Sequence, residues 1–530
     1  MKQIRFTILL FGGLLILLTA TRCKKFLEAD PISTITPGSF WKDKADADAW
    51  MAGIYNAVQT TLNTNWFDWG EVRADNVKGA GTGTAQTKFL NNALSASDPD
   101  IVGSNGTTGA ASWASLYTTI SLCNYGIKYY PQMTSENIGG ATATYTDYLG
   151  QCYGLRALMY FYGLRVWGKM PLITEPLETY GQPTQFPRSP IADVKKRILD
   201  DIDLALKSIG TNKTNKYNMQ KAAVYALQTD VYMWFQQYDL ALVASQNTIT
   251  ESGCTWVTNA QSWKNMFTDP STSTETIFNL YWDNIERGGG VGVCGRLASG
   301  SNTNNYMITP RIFQELFDRT DPATSLPSDG RLTTSFDMIS YKTPVEYNAL
   351  NGAFGKFTLY DPAAKRSDGQ PGGAFVYQAN GECNVKLPIY RFADIMLLRA
   401  EALAHTGKYQ DALDIVNTVR GRVGYKTQAK LTDYTGDIVT GIERTILTER
   451  QYELLGEGKR WFDLCRIGKM YDFTNGYTYL TGIMNPILAG RSGATKYEGT
   501  NIGRIMFPIA SAAFNANRQL VGDQNPPYDE

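Results

Sequence analysis

The sequence predicts a mostly α-helical chain in which paired helices stack into a solenoid scaffold carrying a loop-rich, partly β insert. Three observations predict it. Apolar residues recur three and four positions apart over long stretches, the period of a helix with one buried face. Two such stretches stand almost end to end after Pro388, and a related pair stands near Tyr238. Between these pairs, from roughly 255 to 385, the helical period fades into short strand-like runs rich in Gly, Asn, Ser and Pro.

The pair after Pro388 is the best defined. Ala393, Met396, Leu397, Ala400 and Ala404 form one stripe; Pro388 suits a first helical turn and Gly407 a left-handed residue past the end. A second stripe, Ala412, Ile415, Val416 and Val419, follows a link so short that the two helices must pack antiparallel. Its opening, Tyr409-Gln-Asp-Ala412-Leu413, matches Tyr238-Asp-Leu-Ala241-Leu242, which follows the apolar run from Ala222 to Phe235. A small Ala where helices cross and an aromatic at the elbow are what stacked tetratricopeptide-like hairpins need. Further helices are predicted over 45–62, 113–130, 145–167 and 190–209, and 82–107 is predicted to be an exposed loop. Thr440-Gly-Ile-Glu443 reads as a capping box for the helix that leads into Glu457-Gly-Lys-Arg-Trp-Phe-Asp-Leu-Cys-Arg466. Alternating acids and bases beside Trp461 and Phe462 predict a structural ion-pair network, not a catalytic pair.

Met1 to Arg22 reads as an export signal, with Lys2 and Arg5 ahead of an apolar run, Phe6 to Ala20, that is short for a membrane span. Cys23 directly after it is a candidate lipidation site, and acyl chains there would anchor the mature chain to a membrane. Arg22 stands where lipoprotein cleavage sites carry a small residue, and cleavage after Ala20 would instead release a soluble protein; lipidation of Cys23 is the reading taken. Residues 23–530 are read as one composite domain, with a helical scaffold over about 44–250 and 388–470 and loop-rich regions over about 255–385 and 472–505. The remaining cysteines form no Cys-x-x-Cys pair, and their pairing is not readable. Cys123, Cys152 and Cys465 fall within helical patterns and read as buried thiols.

Charge balances at 50 Lys+Arg against 50 Asp+Glu, which argues against nucleic-acid binding. Charged residues make up 19% and aromatics 12%, a balance that suits both neutral polyhydroxylated ligands and a well-filled helical core. The single histidine, His405, sits at a helix end, so neither a Ser-His-Asp triad nor a histidine-ligated zinc is indicated. Gly288–Gly292 lacks the Gly-Lys-Ser/Thr ending of a phosphate loop, and no cofactor or metal is assigned.

Two stretches have the composition of a sugar site. In Asn65-Trp-Phe-Asp-Trp-Gly-Glu-Val-Arg-Ala-Asp-Asn76, Trp66 and Trp69 stand with Arg73, Asp75 and Asn76. Indole faces stack on the C–H face of pyranose rings, while carboxylates and amides bind adjacent hydroxyls. The same residues could equally fold a loop against the scaffold with the rings as filler. In the insert, Tyr281-Trp282-Asp-Asn284 leads to Arg287, and Tyr306 follows. Loops on a rigid scaffold are where recognition sits, so Trp282, Asn284, Arg287 and Tyr306 join the candidate ligand set.

Several phrases, spread in order over nearly the whole mature chain, carry a resemblance. They are Arg391-Phe-Ala-Asp394, Leu397-Leu-Arg-Ala-Glu401, Asn417-Thr-Val-Arg420, Glu449-Arg450, Arg460-Trp461 and the closing Gln524-Asn-Pro526 with Tyr528. Toward the front, Phe40-Trp41, Gly53-Ile-Tyr55 and Gly168-Lys-Met-Pro171 join them. Together these resemble the SusD/RagB family of outer-membrane nutrient-binding lipoproteins. The resemblance implies a non-catalytic surface protein that captures oligosaccharides for import through a partner SusC-like TonB-dependent transporter. Peptide capture by the same architecture is the alternative, and a glycoside hydrolase is a third reading.

Overall fold

The computed structural model describes residues 40–80, 83–133, 136, 142–179, 181–210, 215–298, 305–338, 340, 342–350, 352, 354–361, 363, 374–378, 380–468 and 478–529. The export signal and Cys23 lie outside the described residues.

The first half is a run of packed helices: α1 (Lys44–Leu62), α2 (Asn65–Gly70), α3 (Thr84–Leu90), α4 (Pro99–Val102), α5 (Ala114–Tyr129), α6 (Thr142–Trp167), α7 (Ile191–Ser208), α8 (Lys221–Trp234) and α9 (Tyr238–Ser252). Helix α1 starts where the Asp43 carboxylate accepts from the Asp46 N–H. Helices α3 and α4 correct the loop expected over 82–107. Gly and Thr there masked two short helices whose Phe89, Leu90, Ile101 and Val102 are buried, and α4 opens on Asp98 as cap with Pro99 at its first position.

The middle contains α10 (Ala260–Thr268), α11 (Asn284–Arg287), α12 (Pro310–Phe317), α13 (Gly330–Ser335) and α14 (Pro344–Ala349). Short antiparallel strand pairs run through it. β1 (Val77–Gly79) pairs with β3 (Tyr306–Ile308), β2 (Thr276–Leu280) with β6 (Leu387–Arg391), and β4 (Leu359–Asp361) with β5 (Ala374–Val376). The last part returns to helices: α15 (Phe392–His405), α16 (Tyr409–Arg422), α17 (Ile438–Glu453), α18 (Arg460–Ile467), α19 (Thr478–Ala489) and α20 (Ser511–Ala516).

Two predicted helix starts move. Pro388 lies in β6 opposite Asn279, and the helix begins at Phe392 after an extended Arg391, because this fully buried run pairs with β2. Helix α17 is capped by Asp437, which accepts from the Thr440 N–H and hydroxyl, so it opens at Ile438, ahead of the predicted box.

The helices form a continuous stack. α1 packs on α5, α5 on α6, α6 on α7, α7 on α8, α8 on α9, α9 on α15, and α15 on both α16 and α17. Ala241 and Ala412 are fully buried in the hairpins they open. Gly407 makes the elbow between α15 and α16 at φ 79°, a conformation that favours a residue without Cβ. His405 lies flat on the Tyr238 ring, 4.1 Å between centroids, and its Nε2 is 2.6 Å from Glu443 Oε1, so the lone imidazole joins the two hairpins.

The irregular middle is closed at its neck. Strands β2 and β6 pair Thr276 with Arg391 and Leu280 with Leu387, and a disulfide joins Cys294 to Cys383 just beyond them. Cys123, Cys152, Cys254 and Cys465 are buried thiols.

Charge bolts this neck to the helices. Glu453 of α17, fully buried, receives Arg331 at 3.3 Å, Arg391 at 2.7 Å and Arg422 at 2.5 Å. Arg391 also reaches Glu275 at 3.2 Å and Glu457 at 2.8 Å, and Lys356 reaches Glu457 at 2.5 Å. Glu449, one helical turn before Glu453, takes Arg331 at 2.6 Å and Arg420 at 2.9 Å. Burial alone would push the Glu449 carboxyl up, but Arg331, Arg319 and Arg420 outweigh it and hold it down to about 2. A neighbouring knot joins Arg450 to Asp394 and Asp463 and Arg466 to Glu401. This is the ion-pair network the alternating charges predicted.

Removing Glu453 leaves Arg331, Arg391 and Arg422 each short of one buried partner. Glu453→Ala is therefore expected to lower unfolding stability by about 3–5 kcal/mol, whereas breaking the exposed Lys196–Asp200 pair should change it by under about 0.5 kcal/mol. Urea unfolding at neutral pH reads the difference, and equal effects would contradict it.

Candidate functional site

The first predicted ligand set is interior, a correction to the sequence reading. Trp66 and Trp69 are buried, the former edge-on to Phe357 and the latter packed against Trp167 and Tyr162. The Trp69 indole N–H donates to Ala110 O at 2.7 Å. Helix α2 lies so close to the segment before α18 that a Cβ on Gly70 would fall 1.8 Å from Gly458 O. Arg73 is buried beneath Trp461, 4.4 Å from the ring centroid, and donates to Ile505 O, Asn92 Oδ1 and the Tyr497 hydroxyl at 3.0 Å. Asp75 holds Arg460 at 2.8 Å and Arg311 at 3.0 Å. Asn76 donates to Glu71 Oε1 at 2.6 Å and accepts from Gln451 at 2.7 Å. These residues form a strut between the N-terminal helices and α17–α18, with no face left for a sugar ring.

Glu71 shares this strut. Its Oε1 accepts from Asn76 and the Gly456 N–H, and its Oε2 has no protein partner. Burial pushes its carboxyl up to about 7, the hydrogen bonds offsetting only part of that.

The second set divides. Trp282 and Tyr306 are buried at 2% exposure each. Trp282 donates its indole N–H to Gly289 O at 3.0 Å, closing the turn around α11, and Tyr306 sits in β3 against Phe67. These two are corrected to core positions as well. Asn284 and Arg287 are partly exposed. The Asn284 main-chain N–H donates to Asn384 Oδ1 at 2.6 Å, and the Asp283 carboxylate caps α11 by accepting from Ile285 and Glu286 N–H.

Arg287 opens onto a cleft of about 280 Å³ that lies between α1, the approach to α8 and the end of β2. Tyr217 and Tyr281 line it in edge-to-face contact with each other, 5.3 Å between centroids and 80° between planes. Asn56, Gln59 and Asn218 supply amides, and Arg287 and Glu286 the charges. Gln59 donates to Tyr281 O at 2.7 Å, tying the strand end to α1, and Arg287 Nη2 donates to Thr60 Oγ1 at 3.1 Å. Tyr281 is 39% exposed while its neighbour Trp282 is buried, as successive residues of an extended segment point to opposite sides. The reading of that stretch therefore chose the inward ring of the two. Asn56, Gln59, Tyr217 and Asn218 carried no motif; only folding brings them to Tyr281.

Among the described residues no group of three or more His, Cys, Asp or Glu is placed to hold a metal ion, and no helix is long and apolar enough to cross a membrane. The structure is a stack of helix pairs with an aromatic and amide cleft beside its irregular middle. Comparison with known proteins places it further. A family model described as the SusD family matches residues 364–528, and one described as starch-binding, associating with outer membrane, matches residues 26–233. SusD-like protein P38 of Formosa agariphila is 26% identical, covering 99% of both chains, and a SusD-like protein of Bacteroides ovatus is 22% identical over 84% of this chain and 80% of its own. Among solved structures, B. fragilis NanU superposes with a TM-score of 0.67 at 22% identity over 94% of this chain and all of its own. A laminarin binding SusD-like protein does so with a TM-score of 0.65 at 18% identity over 92% of this chain and all of its own. The chain belongs to the SusD/RagB family of outer-membrane proteins, which bind and do not catalyse.

The strut carries a pH signature. Glu71 keeps its proton in the fold up to about pH 7, whereas an unfolded Glu loses it near about 4.3. Stability from this group is fully present below the unfolded value and is lost as pH rises through about 7. Relative to Glu71→Gln, the wild type is expected to lose on the order of 2 kcal/mol between about pH 5 and pH 8. Denaturant titrations at both pH values test this, and parallel pH profiles for the two proteins would refute it.

Proposed function

We propose that the chain captures oligosaccharides at the cell surface in the cleft lined by Tyr217 and Tyr281 and passes them, chemically unchanged, to a SusC-like TonB-dependent transporter in the outer membrane. The observation that carries this reading is the pair of tyrosine rings framed by Asn56, Gln59 and Asn218. Aromatic faces take the apolar side of a sugar ring, and amides both donate to and accept from its hydroxyls. At about 280 Å³ the cleft falls just below the volumes of about 300–1,000 Å³ that enclose whole small ligands. It therefore suits a short stretch of a longer chain whose remainder stays in water.

So shallow a site binds weakly. Lipidation at Cys23 would hold the chain beside its transporter, and tethering then supplies the effective concentration that affinity does not. The family's place at the outer membrane supports both partners.

Tyr281→Ala is expected to weaken oligosaccharide binding by about tenfold, the loss of one ring contact of about 1–1.5 kcal/mol. Its melting temperature should hold, since Tyr281 is 39% exposed. Calorimetric titration against a panel of neutral and acidic oligosaccharides reads the first and a thermal melt the second. Unchanged glycan binding in the variant would reject the cleft, and binding of peptides in place of every glycan would reject the ligand class.

A further inference from the structure

Most of the arginines that this fold buries have an acid partner, and Arg287 does not. Arg156 has Asp201 at 2.8 Å, Arg296 has Asp68 at 2.6 Å and Arg460 has Asp75 at 2.8 Å. Arg73, without an acid, is wrapped by carbonyl, amide and hydroxyl oxygens. Arg287 has one protein bond, from Nη2 to Thr60 Oγ1 at 3.1 Å, and stands 5.1 Å from the Trp282 ring centroid. Its Nε, like those of Arg73 and Arg165, has no hydrogen-bond partner, and among the described residues no carboxylate pairs with Arg287. Glu286 lines the same cleft without closing an ion pair on it, and Asp283 is occupied in capping α11. Lys386 adds a second positive charge at the rim, its Nζ 5.4 Å from the Tyr281 ring centroid. The partly exposed guanidinium is held at the cleft without an acid partner.

A planar guanidinium with free N–H groups matches a carboxylate or sulfate better than it matches a hydroxyl. Resting on the cleft assigned above, we infer that the site selects acidic oligosaccharides and that Arg287 receives their carboxylate or sulfate while Tyr281 takes a ring face. Tyr217, Asn56, Gln59 and Asn218 serve the hydroxyls and would act equally on a neutral sugar.

The test compares sugars that differ only in charge. Wild type, Arg287→Gln, Arg287→Lys and Tyr281→Ala are titrated with a trisaccharide of galacturonate, the matching trisaccharide of galactose and a sulfated form of the latter. The wild type is expected to prefer an acidic ligand by about tenfold, the worth of a charge-assisted hydrogen bond, and to lose that preference as salt rises. Arg287→Gln should abolish the preference by weakening the acidic ligands far more than the neutral trisaccharide, while Arg287→Lys retains part of it. The uronate and sulfate arms decide which acid is read. Equal wild-type affinity for neutral and acidic sugars would overturn the inference. An Arg287→Gln variant that weakens both alike would overturn it too, since the arginine would then only pin α11 to α1. If Tyr281→Ala weakens all three ligands but Arg287→Gln leaves their ratio unchanged, the charge reading fails and the cleft stands. If neither variant changes any binding, the cleft itself is wrong.

Discussion

The joint between the irregular middle and the helical stack depends on Glu453 being ionised inside the protein. Taking a carboxylate and a guanidinium out of water costs several kcal/mol per ion, and one contact rarely returns it. Here Arg331, Arg391 and Arg422 converge on the same acid, and each also reaches a second acid. Shared partners satisfy several donors with each carboxylate, so few buried charges are left bare. The gain is geometric. Arg331 comes from the irregular middle, Arg391 from the end of β6, Arg422 from the end of α16, and Glu453 from α17. Four segments distant in sequence meet in one register, since any other register would leave a buried charge unpaired.

That bolt explains how a middle so poor in regular structure is held against a helical stack. The loop-rich segment leaves the frame at β2 and returns at β6, adjacent strands stapled by the Cys294–Cys383 disulfide and fixed below by Glu275 and Arg391. With its ends joined, little loop-closure entropy remains to be opposed within it. The α11 turn inherits this rigidity: Trp282 closes it from beneath, Asn384 grips its first N–H, and Thr60 of α1 takes Arg287. A recognition surface assembled this way is set before a ligand arrives, and preorganisation matters most where contacts are few.

The helical frame was legible because a helix writes its buried face into the sequence every three or four residues. The hairpin links, the repeated Tyr-x-x-Ala-Leu phrase and the charged run from Glu457 to Arg466 all came through. Element starts were less legible. Pro388 looked like a helix opening, and only its pairing with Asn279, more than a hundred residues earlier, makes it strand. The candidate site was read least well, for a chemical reason. Trp, Asp, Arg and Asn in close order are what a sugar site needs and also what a buried joint needs. The partners that decide between them for Arg73 and Asp75 are Ile505, Tyr497 and Arg460, hundreds of residues away. Arg287 was found because it lay beside aromatic residues in an irregular stretch, whereas Gln59 and Asn218 looked like ordinary helix and turn residues until the fold gathered them.

The most direct measurement is hydrogen exchange, read by mass spectrometry, with and without a saturating acidic oligosaccharide. The account predicts added protection over 52–60, 215–219 and 280–288, with 65–76 already slow in the free protein and unchanged on binding. Ligand-induced protection centred on 65–76, with none around the cleft, would contradict it.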